Sequence, residues 1–395
     1  MVQRTEYLDQ LKKLVNHKLI KVITGVRRCG KSTLLEQFRQ HLLETGVKPE
    51  QIISINFEDL AFESLMDYRA LYDYVKQSLN EDTMTYIFLD EIQNVNQYQK
   101  AVDSLFIQKN VDLYITGSNA HLLSGDLATL LSGRYVEISM LPLSFSEFVQ
   151  EFQGEEKQVW NQYLRFGGFP YLTALDDETT KREYLSGIYH TVLLKDVATR
   201  NRISDINLLE SILRFLADNI GSIVSSKKIA DSLVSYGRKV TSITVENYLR
   251  GLGDAYVIYK VGRYDIKGKQ HLKSLEKYYL VDTGLRQVLL GERSSDIGHV
   301  LENIVYLELI RRGYRVSIGK AGEYEIDFVA ERGSERIYYQ VAATVLDPNT
   351  FQRELRPLTL VDDYYPRYIL TLDEVPLGES GINQVNILDF LMQRV

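Results

Sequence analysis

The sequence predicts an α/β protein: a parallel sheet with helices on both faces, then a helical segment, a three-helix segment ending in a hairpin, and a second α/β unit. Three observations lead there. Between residues 19 and 139, five short apolar runs alternate with helix-length segments, as in strands covered on both faces by crossover helices. Between 141 and 204 the strand-like runs stop and only helical periodicity is left. Beyond 205, short capped helices give way to β-rich runs, and a long helix followed by strands closes the chain. At 395 residues, two to four domains are expected.

The five runs are "LIKVIT" (19–24), "IISIN" (52–56), "YIFLD" (86–90), "DLYIT" (112–116) and "YVEIS" (135–139). After the first, "KSTLLEQFRQHLLE" places Leu34, Leu35, Phe38 and Leu42 on one helical face. The helical segment 141–204 reads as a lid on this core, interrupted by "GGFP" at 167–170, where Gly and Pro stop a helix. Residues 205–283 hold "INLLESILRFLADNIG", "SSKKIADSLVSYG" and "TSITVENYLRGLGD", bounded by Ser/Thr starts and glycine stops. The strands "YVIYKVGRYD" and "KSLEKYYLVD" follow, joined by the turn "IKGKQH". Three short helices and a hairpin make a winged-helix pattern, a relative of helix-turn-helix. Residues 284–395 form the last unit: the helix "IGHVLENIVYLELIRRG", then "YRVSIG", "YEIDFVAE", "RIYYQVA" and "RYILTLD", with a hairpin around Gly333. The first unit is residues 1–140.

Composition removes several classes. A net charge of −7 excludes a polycation that coats nucleic acid, although local basic surfaces remain open. One cysteine, Cys29, excludes an internal disulfide framework and a multi-cysteine metal site. The start "MVQRTEYLDQLKKL" has no apolar core of a signal peptide, and no run approaches the ~18 apolar residues of a membrane span. A cytoplasmic protein is expected.

"GVRRCGKST" (25–33) directly follows the first strand and opens the first helix. Gly25-x-x-x-x-Gly30-Lys31-Ser32 fits the phosphate-loop formula in the strand–loop–helix context that gives it weight. Glycines let the amides of Val26, Arg27, Arg28, Cys29, Gly30, Lys31, Ser32 and Thr33 turn toward phosphates at a helix N-terminus. Lys31 would reach the β- and γ-phosphates and Ser32 would ligate Mg²⁺. Asp90 and Glu91 end the buried strand "YIFLDEIQ". Asp90 is expected to hold Mg²⁺ through water and Glu91 to activate the attacking water, which favours ATP hydrolysis over a slow binding switch. In "YITGSNA", Ser118 or Asn119 is placed to orient that water.

"GVRRCGKS", "LDEIQ", "ITGSNA", "LSGRYVEISMLPLSFSEF" and "FGGFPYL", with "TVLLKDVATRNRI", "KIADSLVSYG", "YLVDTGLR", "LENIVYLELIRRGYRV", "EIDFVA" and "YYQVA", run through nearly the whole chain. Together they make it similar to a family of prokaryotic AAA-type P-loop ATPases with a C-terminal domain of unknown function. The resemblance implies ATP binding and hydrolysis, a winged-helix segment and a terminal fold similar to restriction endonucleases. It implies that Arg134 is either an arginine finger aimed at a neighbouring subunit of a homo-oligomer or a surface arginine. In the endonuclease-like fold an acid on one strand and the Glu of Glu-x-Lys on the next hold metal, while the Lys orients a water. Here Asp327 takes the first place, with Glu325 on the same face and Glu302 on the preceding helix. The next strand offers Gln340 and Ala342, so a carboxylate and the lysine are replaced, and nuclease activity is not expected.

Residues 205–282 carry twelve Lys/Arg against nine Asp/Glu in an otherwise acidic chain. Arg238, Lys239, Lys267 and Lys269 lie on the elements that would meet DNA in a winged helix, through salt-sensitive phosphate contacts. Three functions remain: an ATPase acting on DNA, a nucleotide switch recruiting a protein partner, and an ATP-gated nuclease.

Overall fold

The computed structural model describes residues 2–80, 82–123, 133–152, 154–201, 203–291, 297–376 and 381–394. It divides into two compact units, Met1–Pro142 with Asp254–Tyr256, and Leu143–Gly253 with Val257–Val395.

In the first unit all five apolar runs are strands: β1 (Ile20–Thr24), β2 (Ile52–Asn56), β3 (Thr85–Asp90), β4 (Val111–Gly117) and β5 (Tyr135–Ser139). They pair in parallel in the order β2-β3-β4-β1-β5. Alternation along each strand divides the core in two. Ile87, Leu89, Leu113 and Ile115 join Val102 and Leu105 of α4 (Tyr98–Ile107) and Leu71 and Val75 of α3 (Tyr68–Ser78). On the opposite face Phe88 and Tyr114 stack at 4.9 Å, and Phe38 of α2 (Lys31–Glu44) packs 5.1 Å from Tyr114. The N-terminal helix α1 (Thr5–Lys13) buries Tyr7, Leu8 and Leu11. The sheet thus carries β1, β4 and β3 side by side, so the loops leaving their C-terminal ends converge.

The second unit begins with helices, as the periodicity predicts: α5 (Phe145–Val149), α6 (Glu156–Phe166), α7 (Glu178–Gly187) and α8 (Lys195–Arg200). The "GGFP" turn has a specific reason for its first glycine. Gly167 sits at φ +75°, and a Cβ there would lie 1.9 Å from Oδ1 of Asp282, whose carboxylate accepts the Gly168 amide at 2.7 Å. The same side chain caps α12 (Thr283–Leu290). Before it come α9 (Ile206–Asp218), α10 (Ser226–Ser235) and α11 (Ser242–Asp254), then the hairpin β6 (Ile258–Asp265) and β7 (Gln270–Leu280). The chain continues through α13 (Ile297–Arg311), β8 (Arg315–Ala321), β9 (Tyr324–Arg332), β10 (Glu335–Val341), α14 (Pro348–Thr359), β11 (Arg367–Thr371), β12 (Asn383–Asn386) and α15 (Ile387–Leu391).

The boundary drawn at 283 does not divide the sheet. β6 and β7 are the last two members of one seven-stranded sheet, ordered β12-β11-β10-β9-β8-β6-β7. Arg263–Asp265 of β6 pair in parallel with Ile318–Lys320 of β8, which covers an edge that a free hairpin would leave open. Local pattern names a strand but not its distant partner. Beyond an irregularity between Val261 and Arg263, the other half of the hairpin leaves β8 and pairs within itself, with one antiparallel bridge from Glu276 to Val224, and Leu275 of β7 adopts φ +68°. These two departures re-aim the end of β7.

Candidate active site

The phosphate-loop formula folds as a loop between β1 and α2. Gly25 has φ +145° and Gly30 φ +103°, while Arg28 takes φ +69° between them. At Gly25 only hydrogen fits, since a Cβ would fall 2.1 Å from the Met140 carbonyl oxygen. α2 starts at Lys31, so its first-turn amides point out of the helix where the loop closes. Val26 and Cys29 are fully buried behind the loop, and burial pushes the Cys29 thiol up, leaving it protonated and unreactive. Arg27 is paired with Glu58.

The polar groups predicted from separate motifs meet here. The buried Lys31 ammonium lies 3.2 Å from the Gly25 carbonyl, 3.3 Å from that of Val26 and 3.4 Å from Oε1 of Glu91. Asp90 ends β3, and its Oδ1 accepts the Thr116 hydroxyl at 2.5 Å. Burial raises its pKa, while hydrogen bonds from Ser32 and Thr116 pull the other way. Ser32 and Asp90 are therefore neighbours, as a shared Mg²⁺ requires. Glu91, in a left-handed conformation at φ +54°, turns away from the strand. Burial drives its pKa up, but Lys31, Gln93, Arg27 and Ser118 outweigh that and hold it below the usual carboxylate range. Glu91 is thus ionised at neutral pH. Ser118 donates to its Oε2 at 3.2 Å, and Asn119, also buried, follows Ser118.

Among the described residues no group of three or more His, Cys, Asp or Glu side chains is arranged around a metal position. Mg²⁺ bound with a nucleotide needs no such cage, because one or two protein oxygens complement water and phosphate. The Ser32 and Asp90 pair fits that donor set. Arg134 lies apart from these groups: its guanidinium, 45% exposed, bonds Oδ1 of Asp103 at 2.6 Å and sits over the Phe106 ring.

Three contributors escaped the sequence reading. Thr116 links Asp90 to the Glu91 amide, which it accepts at 2.9 Å; a threonine inside a buried apolar strand was the available signal. Gln93 donates to Glu91 and is the last residue of the "YIFLDEIQ" segment. Arg4, buried, donates to the carbonyls of Cys29 at 3.0 Å and Leu141 at 2.7 Å, fastening the loop from behind; nothing local marks it.

Known proteins resemble this chain in sequence and fold. A family model described as an AAA domain matches residues 17–149, and a domain of unknown function (DUF8612) matches 157–296. An uncharacterized protein of Haemophilus influenzae is 39% identical over 400 residues, covering 100% of this chain and 99% of its own. Uncharacterized protein MJ1544 of Methanocaldococcus jannaschii is 33% identical over 402 residues, 95% of this chain and 86% of that protein. The chain belongs to their family, with an AAA domain at its N-terminal end. The AAA domain carries the P-loop, and the domain of unknown function begins within the second unit. The Walker-type ATPase paby2304 of Pyrococcus abyssi shares the fold, with a TM-score of 0.54 at 17% identity over 73% of this chain and 96% of that one.

In the second unit the structure brings Glu302, Glu325 and Asp327 together around a residue the sequence reading did not place, Lys277 of β7. Gln340 is also there: its side-chain oxygen accepts the Asp327 amide at 3.3 Å and its amide donates to Glu354 at 2.8 Å. Arg238 and Lys239, between α10 and α11, are exposed, as are Lys267 and Lys269 in the β6–β7 turn. No helix among the described residues is long and apolar enough to cross a membrane.

Proposed function

We propose that the protein is a Mg²⁺-dependent ATPase whose nucleotide cycle rearranges its C-terminal parts on DNA. The meeting of Lys31, Ser32, Asp90 and Glu91 at one end of the sheet carries this reading. Lys31 and the amides from Val26 to Thr33 hold the β- and γ-phosphates. Mg²⁺ supplies charge neutralisation across those phosphates. Ser32 and, through water, Asp90 would hold the metal, and the bond from Thr116 fixes the Asp90 carboxylate. Glu91, kept ionised, would accept the proton of the attacking water, with Ser118 and Gln93 fixing its carboxylate and Asn119 as a further candidate to orient that water. Arg134 acts from a neighbouring subunit of a homo-oligomer after leaving Asp103, an exposed pair that costs little to break.

The helices α9–α11 and the β6–β7 hairpin form a winged-helix element within the second unit, and β8–β12 with α13 form its endonuclease-like part. The exposure of Arg238, Lys239, Lys267 and Lys269 favours contact with phosphate backbones. The test is ATP turnover with and without duplex DNA at low and high salt. Stimulation by DNA that fades with salt, and is lost in Lys267→Glu/Lys269→Glu, supports the reading. Turnover indifferent to DNA, with assembly that depends on ATP against ADP, supports a switch that recruits a protein instead.

A further inference from the structure

The acid cluster of the second unit contains its own cation. Lys277 is 2% exposed, and its ammonium lies 2.9 Å from Oε1 of Glu302, 2.7 Å from Oε1 of Glu325 and 3.7 Å from Oδ1 of Asp327. Several acceptors of the cluster have further donors. Tyr279 donates its hydroxyl to the same Glu302 oxygen at 2.6 Å. Oδ2 of Asp327 accepts the Val341 amide at 2.9 Å. Both ends of Gln340 are used, and Glu354 accepts from Arg353 as well as from Gln340. The lysine arrives from outside the acid-bearing strands because β7 is re-aimed after Leu275.

A divalent cation needs several oxygens at about 2.0–2.6 Å with lone pairs turned toward it. Here those lone pairs converge on the Lys277 ammonium. A second, doubly charged cation in the same few ångströms would face repulsion from the ammonium and would have to compete with it for the carboxylate oxygens it already holds. The residues therefore do not fit the metal of an endonuclease-like site.

We propose that Lys277 is the resident cation of this cluster, standing where such a site would hold its metal and excluding it. This rests on the endonuclease-like reading of the second unit. Lys277 thereby makes the cluster a fixed part of the fold, joining β7 to α13 and β9, rather than a centre of phosphodiester hydrolysis.

The experiment is a Mn²⁺ titration of the full chain without nucleotide, by calorimetry and by electron paramagnetic resonance of free Mn²⁺. The chains compared are wild type, Asp327→Asn, Lys277→Met and Lys277→Met/Asp327→Asn. Lys277→Met should bind Mn²⁺ at least about tenfold more tightly than wild type. The added Asp327→Asn should abolish that gain, and Mn²⁺ should raise the melting temperature of Lys277→Met alone. Submillimolar Mn²⁺ binding by wild type that Asp327→Asn removes would overturn the proposal while upholding an endonuclease-like metal site. A folded Lys277→Met chain that binds no better than wild type would overturn the proposal and the endonuclease-like reading together. If Lys277→Met does not fold, Lys277→Met/Glu325→Gln replaces it, and the wild-type titration decides against the proposal on its own if metal binds.

Discussion

Replacing Lys31 by Met separates two jobs that one ammonium performs. Its three contacts, at 3.2, 3.3 and 3.4 Å, lie at the long edge of hydrogen bonding. Charge-assisted bonds to phosphate oxygens are shorter and each contributes roughly 1.5–3 kcal/mol. Two such bonds amount to about 3–6 kcal/mol, so the variant should bind Mg-ATP at least about 100-fold more weakly. The same change strips buried Glu91 of its largest opposing charge, although Gln93 and Ser118 still bond it. A stability loss of about 1–3 kcal/mol is expected. Lys31→Met/Glu91→Gln removes the unpaired charge, so it should recover most of the stability and none of the affinity. Calorimetric titration with Mg-ATP and urea unfolding read the two quantities separately. A single variant that binds within threefold of wild type, or a double variant that regains binding, refutes a direct phosphate contact.

Glu91→Gln should bind Mg-ATP within a few-fold of wild type and lose about 100- to 1,000-fold in turnover, since a neutral amide takes no proton; phosphate release at wild-type rate contradicts the assignment. Gly25→Ala should destabilise the first unit by about 2–4 kcal/mol in denaturant, because the overlap with the Met140 carbonyl is with backbone; an unchanged midpoint removes the steric argument. Burial pushes the Asp282 carboxyl up to about 7 from 3.8, against amide hydrogen bonds from Gly168, Gly284 and Leu285. The folded chain therefore binds this proton more tightly than the unfolded one. Its contribution is complete below about pH 4 and is lost as pH rises through 7, on the order of 4 kcal/mol for three pH units. Asp282→Asn should unfold with less pH dependence than wild type between pH 4 and 8; equal slopes refute this.

Much of the first unit was legible because its signals are local. Five apolar runs became five strands, and Gly25 and Gly30 fell between β1 and the helix that Lys31 and Ser32 open, as the formula requires. Asp90 and Glu91 could be read as strand-end acids, but the opposite shifts of their carboxyls could not, since these depend on Thr116, Ser32 and Lys31 arriving from other segments. Arg4 was invisible for the same reason: its acceptors are main-chain oxygens 25 and 137 residues away. In the second unit, β12 was missed because "NQVN" has no apolar alternation. The register of Asp327 and Gln340 could be read from strand period, whereas Lys277 could not, because a bulged hairpin fifty residues upstream of Asp327 delivers it.

The most direct measurement is calorimetric titration of the wild-type chain with ATP in Mg²⁺. Saturable heat at a single site per chain, absent in Lys31→Met, is expected if the loop after β1 holds the triphosphate. Saturable heat that Lys31→Met retains, or none from a folded wild-type chain, contradicts it.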